Sequence, residues 1–323
     1  KKFLEDQLTL DTVRKITEGE DDLAKEELHK GLINLGINNI LVPEEYGGLG
    51  LDLLFATAVS QSLGEGVATL PFLGPYIVAP TAIKYGASDN QKEKLFADMC
   101  ENLINFGIGF SEYFGSRDSS GLNISDNKVT GKTLFVLDTD FASHVMIADN
   151  KGQIGIVSLD SNDIEMIDLT TVDKTRTYKE MHFSDTPIEI LDKTKSSSFA
   201  IEMALDAGRI IAAADSLGAS QAMINKAVEY SKERKQFNRV IGSFQAVKHM
   251  CAEMAAELEP CYSLVWHAAH SFDDSSEDAR LMACLAKSHI SEVSKMVSKK
   301  ATEVHGGMGF IENNKAECML SVL

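Results

Sequence analysis

Between Phe244 and Phe272 the residues Phe244, Val247, Cys251, Met254, Leu258, Cys261, Val265, Ala268 and Phe272 follow one another at spacings of three and four. Only an α-helix puts such a series on one face. At about 1.5 Å per residue that helix is on the order of 40 Å long, the scale of a bundle rather than of a compact α/β domain. Its neighbours share the pattern. Met203, Ala207, Ile210, Ala214, Leu217, Gln221, Ile224 and Val228 predict a helix before it with one stripe toward a core, and Met282, Ala286, Ile290, Val293 and Val297 predict one after it, from roughly Asp278 to His305.

Upstream, the period is helical from Lys1 to about Asn105, with Ala24, Leu28, Gly31, Leu32 and Leu35 on one face. "VPEEYGGLGL" interrupts it, a helix restarts near Leu53, and "SDNQKEKLFADM" opens with the capping-box pair Ser88 and Gln91. Between these helical parts lie short β-rich runs, "KVTGKTLFVL", "HVMIAD", "QIGIVSL" and "KEMHFSDTPIEIL", separated by Gly, Asn and Asp turn signals. "KTKSSSFA" reads as the linker back to helix. The expected fold is α+β: an N-terminal helical domain over 1–105, a middle β-domain over 106–195 and a C-terminal long-helix bundle over 196–323.

The net charge of -17 repels nucleic acid and anionic membrane, so neither is expected as a partner. No apolar run reaches the roughly 18 residues that span a bilayer, and no charged-then-apolar leader precedes the first helix. The chain starts without Met, so terminal residues are expected to be missing from it. Cys100, Cys251, Cys261, Cys284 and Cys318 lack CxxC pairing and read as reduced core thiols of a cytoplasmic protein. The histidines have no metal-ligand spacing, no Ser-His-Asp signature or P-loop is present, and Trp266 is expected between helices.

Two motifs carry chemistry. "ERKQFNRVIGSFQ" joins the first two long helices and places Arg234 beside Lys235, Gln236, Phe237 and Gln245; a planar guanidinium suits phosphate oxygens, and an aromatic with amides suits a nucleotide. On local chemistry alone a solvated basic connection is the alternative. "HGGMGF", His305 to Phe310, closes the third helix with more glycine than a helix stop needs, which lets a ligand approach the backbone.

Together with "LVPEEYGGLGL", "GFSEYFGSRD" and "VTGKTLFVLDTDFASHVMIAD", these motifs resemble the acyl-CoA dehydrogenase family over essentially the whole chain. The resemblance implies an acyl-CoA dehydrogenase-like fold, FAD as cofactor, and α,β-dehydrogenation of an acyl-CoA thioester in fatty-acid or related catabolism. It also implies an electron-transfer flavoprotein or similar acceptor and a homo- or hetero-oligomer, dimer or tetramer. By the same resemblance Arg234, Gln236, Phe237 and Gln245 hold the FAD of a neighbouring subunit, with Glu303, Gly306 and Gly307 along the same cofactor's path. Ser111 and Phe135 face flavin, and Arg209 supports the acyl region.

The sequence departs from the family pattern at five places. The family's base position before the helix arginine is Gly208 here, and the other location, about two dozen residues past the paired glycines, falls beyond Leu323. The catalytic base is therefore unknown. Asp206 is expected to face elsewhere as a solvated acid near the helix start. Ser111-Glu112-Tyr113 stands for Thr-Glu-Pro, Phe135-Val136-Leu137 for Trp-Ile-Thr, and Glu303 for glutamine. These changes motivate an alternative: a non-catalytic partner subunit that completes a neighbour's FAD site. A flavin-free acyl-CoA scaffold is a third reading, which leaves Arg234 and Gln245 without a purpose.

Overall fold

The computed structural model describes residues 2–310. Helices α1 (Lys2–Gln7), α2 (Leu10–Thr17), α3 (Asp22–Asn34), α4 (Leu53–Glu65), α5 (Ala79–Gly86) and α6 (Asp89–Cys100) come first. Side-chain caps fix several starts: Thr12 N donates to Thr9 Oγ1 at 3.2 Å, Ala24 N to Asp21 Oδ1 at 3.1 Å and Phe55 N to Asp52 Oδ1 at 2.9 Å. The capping box at Ser88 and Gln91 is formed. Leu35, expected on the buried face of α3, is exposed, because the helix stops at Asn34 and the left-handed Gly36 ends its periodicity.

Strands β1 (Phe106–Gly109), β2 (Gly121–Ser125), β3 (Lys128–Leu137), β4 (His144–Ala148), β5 (Ile154–Ser158), β6 (Ile164–Asp168), β7 (Tyr178–Pro187) and β8 (Glu189–Ile190) form one sheet in the order β6-β7-β3-β1-β4-β5-β8, with β2 also on β3. β1 and β4 run parallel; the other pairs are antiparallel. Strands β3, β4, β5 and β7 coincide with the expected runs. β1, β2 and β6 were not among them.

The last part contains α7 (Phe199–Glu233), the hairpin β9 (Lys235–Gln236) and β10 (Arg239–Val240), α8 (Gln245–Asp273) and α9 (Ala279–His305). The predicted stripe of α8 is buried from Met254 through Phe272, and Pro260 sits on the exposed face, where solvent can satisfy the carbonyl it frees. Trp266 corrects an expectation: it lies on the outer face of α8, 47 % exposed, not between helices. For α7 a single stripe is too narrow a description. Ala204, Ile211, Ala213, Gly218 and Ser220 are buried as well, since α4, α5, α8 and α9 pack around it. Of the cysteines, Cys261 is buried, Cys100 and Cys251 are half-buried, and Cys284 is exposed, so it is no core thiol; Cys318 lies outside the described residues.

The helical parts share a core. Leu28, Leu63 and Ile77 pack with Ile210, Leu217, Leu258 and Ile290, while Ile83 and Phe96 pack with Phe106, Met146 and Ile201. The opening helices therefore bury their apolar faces on both the sheet and the bundle, which fixes the geometry at the junction of all three.

His29 belongs to that junction. Its ring stacks on Phe141 with centroids 4.0 Å apart, and Nε2 lies 2.7 Å from the Tyr76 hydroxyl. Burial lowers its pKa from 6.5 to about 4. A depressed folded-state value means that protonation favours unfolding: stability is full above pH 6.5 and is lost as pH falls toward 4. At pH 5 the loss from this one group is about 2 kcal/mol. In urea titrations His29→Gln, which keeps a hydrogen-bonding group but cannot titrate, is expected to remove that part of the slope between pH 7 and 5.

Candidate functional site

The loop after β1 ends in Ser111, Glu112 and Tyr113, and buried Glu112 ties it to β3. Leu134 N donates to Glu112 Oε1 at 2.9 Å, and Thr133 Oγ1 donates to Oε2. These bonds hold a bulge in β3, where the register with β7 shifts between Thr133 and Val136. The bulge puts Phe135 in the left-handed region, φ 55°, with its ring about half exposed. Such a conformation in a bulky residue costs on the order of 1–2 kcal/mol and persists only where neighbours enforce it. Ser111 Oγ lies 2.6 Å from Leu134 O and 2.9 Å from Glu112 Oε2, so its one proton is committed within the protein and only its lone pairs remain for a ligand. Sequence reading placed Ser111 and Phe135 at a site but missed Glu112, which positions both.

Leu137, at the end of the same strand, borders a cavity of 320 Å³ shared with Leu63 of α4, Phe72, Arg176, Tyr178, Ile211 and Asp215 of α7, and Lys287 of α9. Arg176 joins all three parts of the fold. Its Nη1 donates to Leu70 O at 2.8 Å, and its guanidinium lies 3.9 Å from Asp138 and 3.8 Å from Asp215. Asp138 in turn accepts from Gly74 N at 2.8 Å. Burial raises the pKa values of Asp138 and Asp215 and is only partly opposed by Arg176, and burial lowers that of Lys287. No motif marks Arg176; only the tertiary assembly brings its partners together.

One turn before the cavity, Gly208 is buried, and a Cβ there would meet Val78 Cγ2 at 3.3 Å. Arg209 is ion-paired with Asp206. Asp206 corrects an expectation: it is 4 % exposed, well inside α7, and burial raises its pKa despite Arg209. It is a buried partner rather than a solvated acid, because the arginine three residues on lies on its side of the helix.

At the other end of α7 the turn is preformed. Phe237 and Asn238 have φ of 54° and 60°, the two-residue hairpin conformation, and Ile241 N closes on Arg234 O at 2.8 Å. Arg239 stacks over the Phe244 ring at 3.9 Å, and Phe237 meets the same ring edge-on. The side chains of Arg234, Gln236 and Gln245 are exposed and make no hydrogen bond or ion pair among the described residues; Phe237 is 87 % exposed. Exposed donors, an aromatic face and the start of α8 suit a phosphate-bearing nucleotide. Glu303 is exposed, and Gly306 has φ 58° and ψ -138°, a conformation essentially restricted to glycine, with open space beside it and Gly307. His305 stacks on Tyr230 at 4.6 Å, which keeps this glycine turn near the C-terminal end of α7. Arg234, Gln236, Phe237, Gln245, Glu303, Gly306 and Gly307 thus gather at one end of the bundle. Ser111, Phe135 and Arg209 do not: Arg209 is about 37 Å from Arg234 along the helix, Ser216 at the cavity about 27 Å, and Ser111 and Phe135 lie at the bulge of β3.

The chain matches the family profile "Acyl-CoA dehydrogenase, N-terminal domain" over residues 1–102 and "Acyl-CoA dehydrogenase, C-terminal domain" over 199–321. It is 28% identical over 316 residues to a 3-(aryl)acrylate reductase of Clostridium sporogenes, covering 90% of this chain and 82% of that one. It is 26% identical to a caffeyl-CoA reductase-Etf complex subunit of Acetobacterium woodii, covering 98% and 88%. The solved butyryl-CoA dehydrogenase of Megasphaera elsdenii superposes with a TM-score of 0.87 at 22% identity, covering 99% of this chain and 90% of that one. The order of helices, sheet and long bundle is the one that structure has, and with profiles matching both helical ends, the chain belongs to the acyl-CoA dehydrogenase family.

Proposed function

We propose that this protein takes part in the FAD-dependent α,β-dehydrogenation of an acyl-CoA thioester in fatty-acid or related catabolism. Members of the family are FAD-dependent flavoproteins. The observation that carries the reading is the preformed turn with Arg234, Gln236, Phe237 and Gln245 exposed and otherwise unengaged. Bound FAD supplies the acceptor for the hydride that leaves the β-carbon as the α-proton goes to a carboxylate.

The chain's own residues do the rest. Arg234 and the two amides hold phosphate and adenine, with Phe237 as a stacking face, on a cofactor seated in another copy; the separation from the cavity supports this. Glu303, Gly306 and Gly307 leave room along the same path. Ser111, as an acceptor, and Phe135, fixed by the Glu112 bonds, border the flavin ring. The acyl group follows the face of α7 from Gly208, and Arg209, held by Asp206, shapes its entrance. Gly208 supplies no carboxylate at the family's position on α7, and the family's other location for it falls beyond Leu323. Electrons pass to an electron-transfer flavoprotein, a reading supported by the relative that is a subunit of an Etf complex. The assembly is a homotetramer in the cytoplasm; no helix among the described residues is long and apolar enough to cross a membrane.

A second reading has its own observations. Gly208 and Leu137 both lack the polar group the reaction needs, while the outward turn is complete. That combination describes a partner subunit that completes a neighbour's FAD site without turning over its own. The deciding experiment is the anaerobic visible spectrum of the purified native protein before and after mixed acyl-CoAs. A flavin band that bleaches is the expected result. A band that persists counts against dehydrogenation, and the absence of a band favours the partner subunit.

A further inference from the structure

Gly208, Ile211, Ala212 and Asp215 are spaced three, four and seven from the first, one face of α7. The last three line the cavity, with Leu137 from β3 as another wall. An acyl chain entering past Gly208 therefore meets Ile211 and Ala212 and then charged groups. Plain alkyl is the wrong partner for them, since an alkyl chain that displaces water from such groups leaves them without a hydrogen bond, which is costly.

Arg176 is the group in question. A guanidinium that hydrogen-bonds to a carboxylate sits about 2.7–2.9 Å from it. Here Asp138 and Asp215 stand 3.9 and 3.8 Å away, and the one hydrogen bond Arg176 makes among the described residues is to Leu70 O. At the cavity its Nη2 faces Asp215 across 3.8 Å, an ion pair too long for a hydrogen bond, and Asp215 is 30% exposed there. Ligand charge is also constrained. Asp173 and Asp215 line this space against Arg176 and Lys287, and buried Asp138 lies 3.9 Å from Arg176, so a further anion finds no unmatched cation, whereas a neutral hydroxyl accepts from Arg176 and donates to Asp215.

We propose that the acyl group bound by this protein carries a hydroxyl, alcoholic or phenolic, which Arg176 and Asp215 engage inside the cavity; the inference rests on the acyl-CoA reading above. Arg176 and Asp215 are then specificity determinants, and substrates lacking the hydroxyl are rejected because they strand both.

The test is calorimetric binding to the native protein with its cofactor, using CoA thioesters matched in length and ending in methyl, hydroxyl or carboxylate, each in short, medium and long versions. At the best-fitting length the hydroxyl thioester is expected to bind at least about tenfold more tightly than the methyl one, as a hydrogen bond to a charged group provides, and the carboxylate more weakly than the hydroxyl. Arg176→Met is expected to bring hydroxyl and methyl within a few-fold of each other. Because that variant also loses the bond to Leu70, the ranking on the native protein decides the matter alone. Methyl binding as tightly as hydroxyl overturns the proposal and leaves the acyl-CoA reading standing, as does carboxylate binding tightest. If none of the thioesters binds, both fall.

Discussion

Gly218→Val is expected to leave little folded protein, and even Gly218→Ala to cost several kcal/mol in urea unfolding. In an ordinary helix interior Gly→Ala gains about 1 kcal/mol. The sign reverses here because a Cβ on Gly218 would sit 1.9 Å from the Gln61 carbonyl oxygen and 2.8 Å from Glu65 N, both backbone atoms of α4. Gly64 on α4 makes the reciprocal approach, its Cβ position lying 2.0 Å from Asp215 O. Two helices touching backbone to backbone can admit a methyl group only by moving apart, which opens the shared core along Leu63, Ile210 and Leu217. Gly208 on the same helix is the control. Its Cβ would meet only a side-chain methyl, Val78 Cγ2 at 3.3 Å, so Gly208→Ala should stay within about 1 kcal/mol of the parent. Function is tied to the same crossing, because Leu63 of α4 and Asp215 of α7 both line the cavity.

That crossing was not legible in the sequence, and the reason is general. Helices α8 and α9 bury one face each, so their three-and-four spacing could be read directly. Helix α7 is surrounded, and a helix buried on most sides has no single stripe to find. The strands divide in the same way. β3 and β7 show in composition, whereas β1, "FGIG", is buried at every position and half glycine, which looks like a turn. At the site, the turn at Arg234 stood out because its residues are contiguous. Glu112 and Arg176 did not, since their partners come from positions 22 residues away in one case and 106 in the other. Asp206 was misjudged for a related reason: its burial depends on what packs around α7, which the local sequence does not state.

Arg234→Ala should purify with most of its flavin lost while folding as well as the parent, and Arg234→Glu should lose nearly all of it. The separation of the two effects follows from the geometry. The Arg234 side chain is exposed and makes no hydrogen bond or ion pair among the described residues, so removing it breaks no internal polar contact; surface changes of this kind usually stay within about 0.5 kcal/mol. Charge-assisted, two-pronged contact with a phosphate is worth roughly 1.5–3 kcal/mol, so the alanine variant should bind FAD about ten- to a hundredfold more weakly. Glutamate adds repulsion to that loss. The turn itself should survive both changes, since it is held by the Phe237–Asn238 hairpin, by Ile241 N to Arg234 O and by Arg239 on Phe244, none of which uses the Arg234 side chain. The check is the ratio of visible to ultraviolet absorbance together with the unfolding midpoint. Full flavin occupancy in Arg234→Ala would remove the turn from the cofactor site. Loss of flavin in that variant, with rescue when parent subunits lacking their own flavin are mixed in, would place the turn on a neighbour's cofactor, because only a shared site lets one chain's arginine serve the FAD of another.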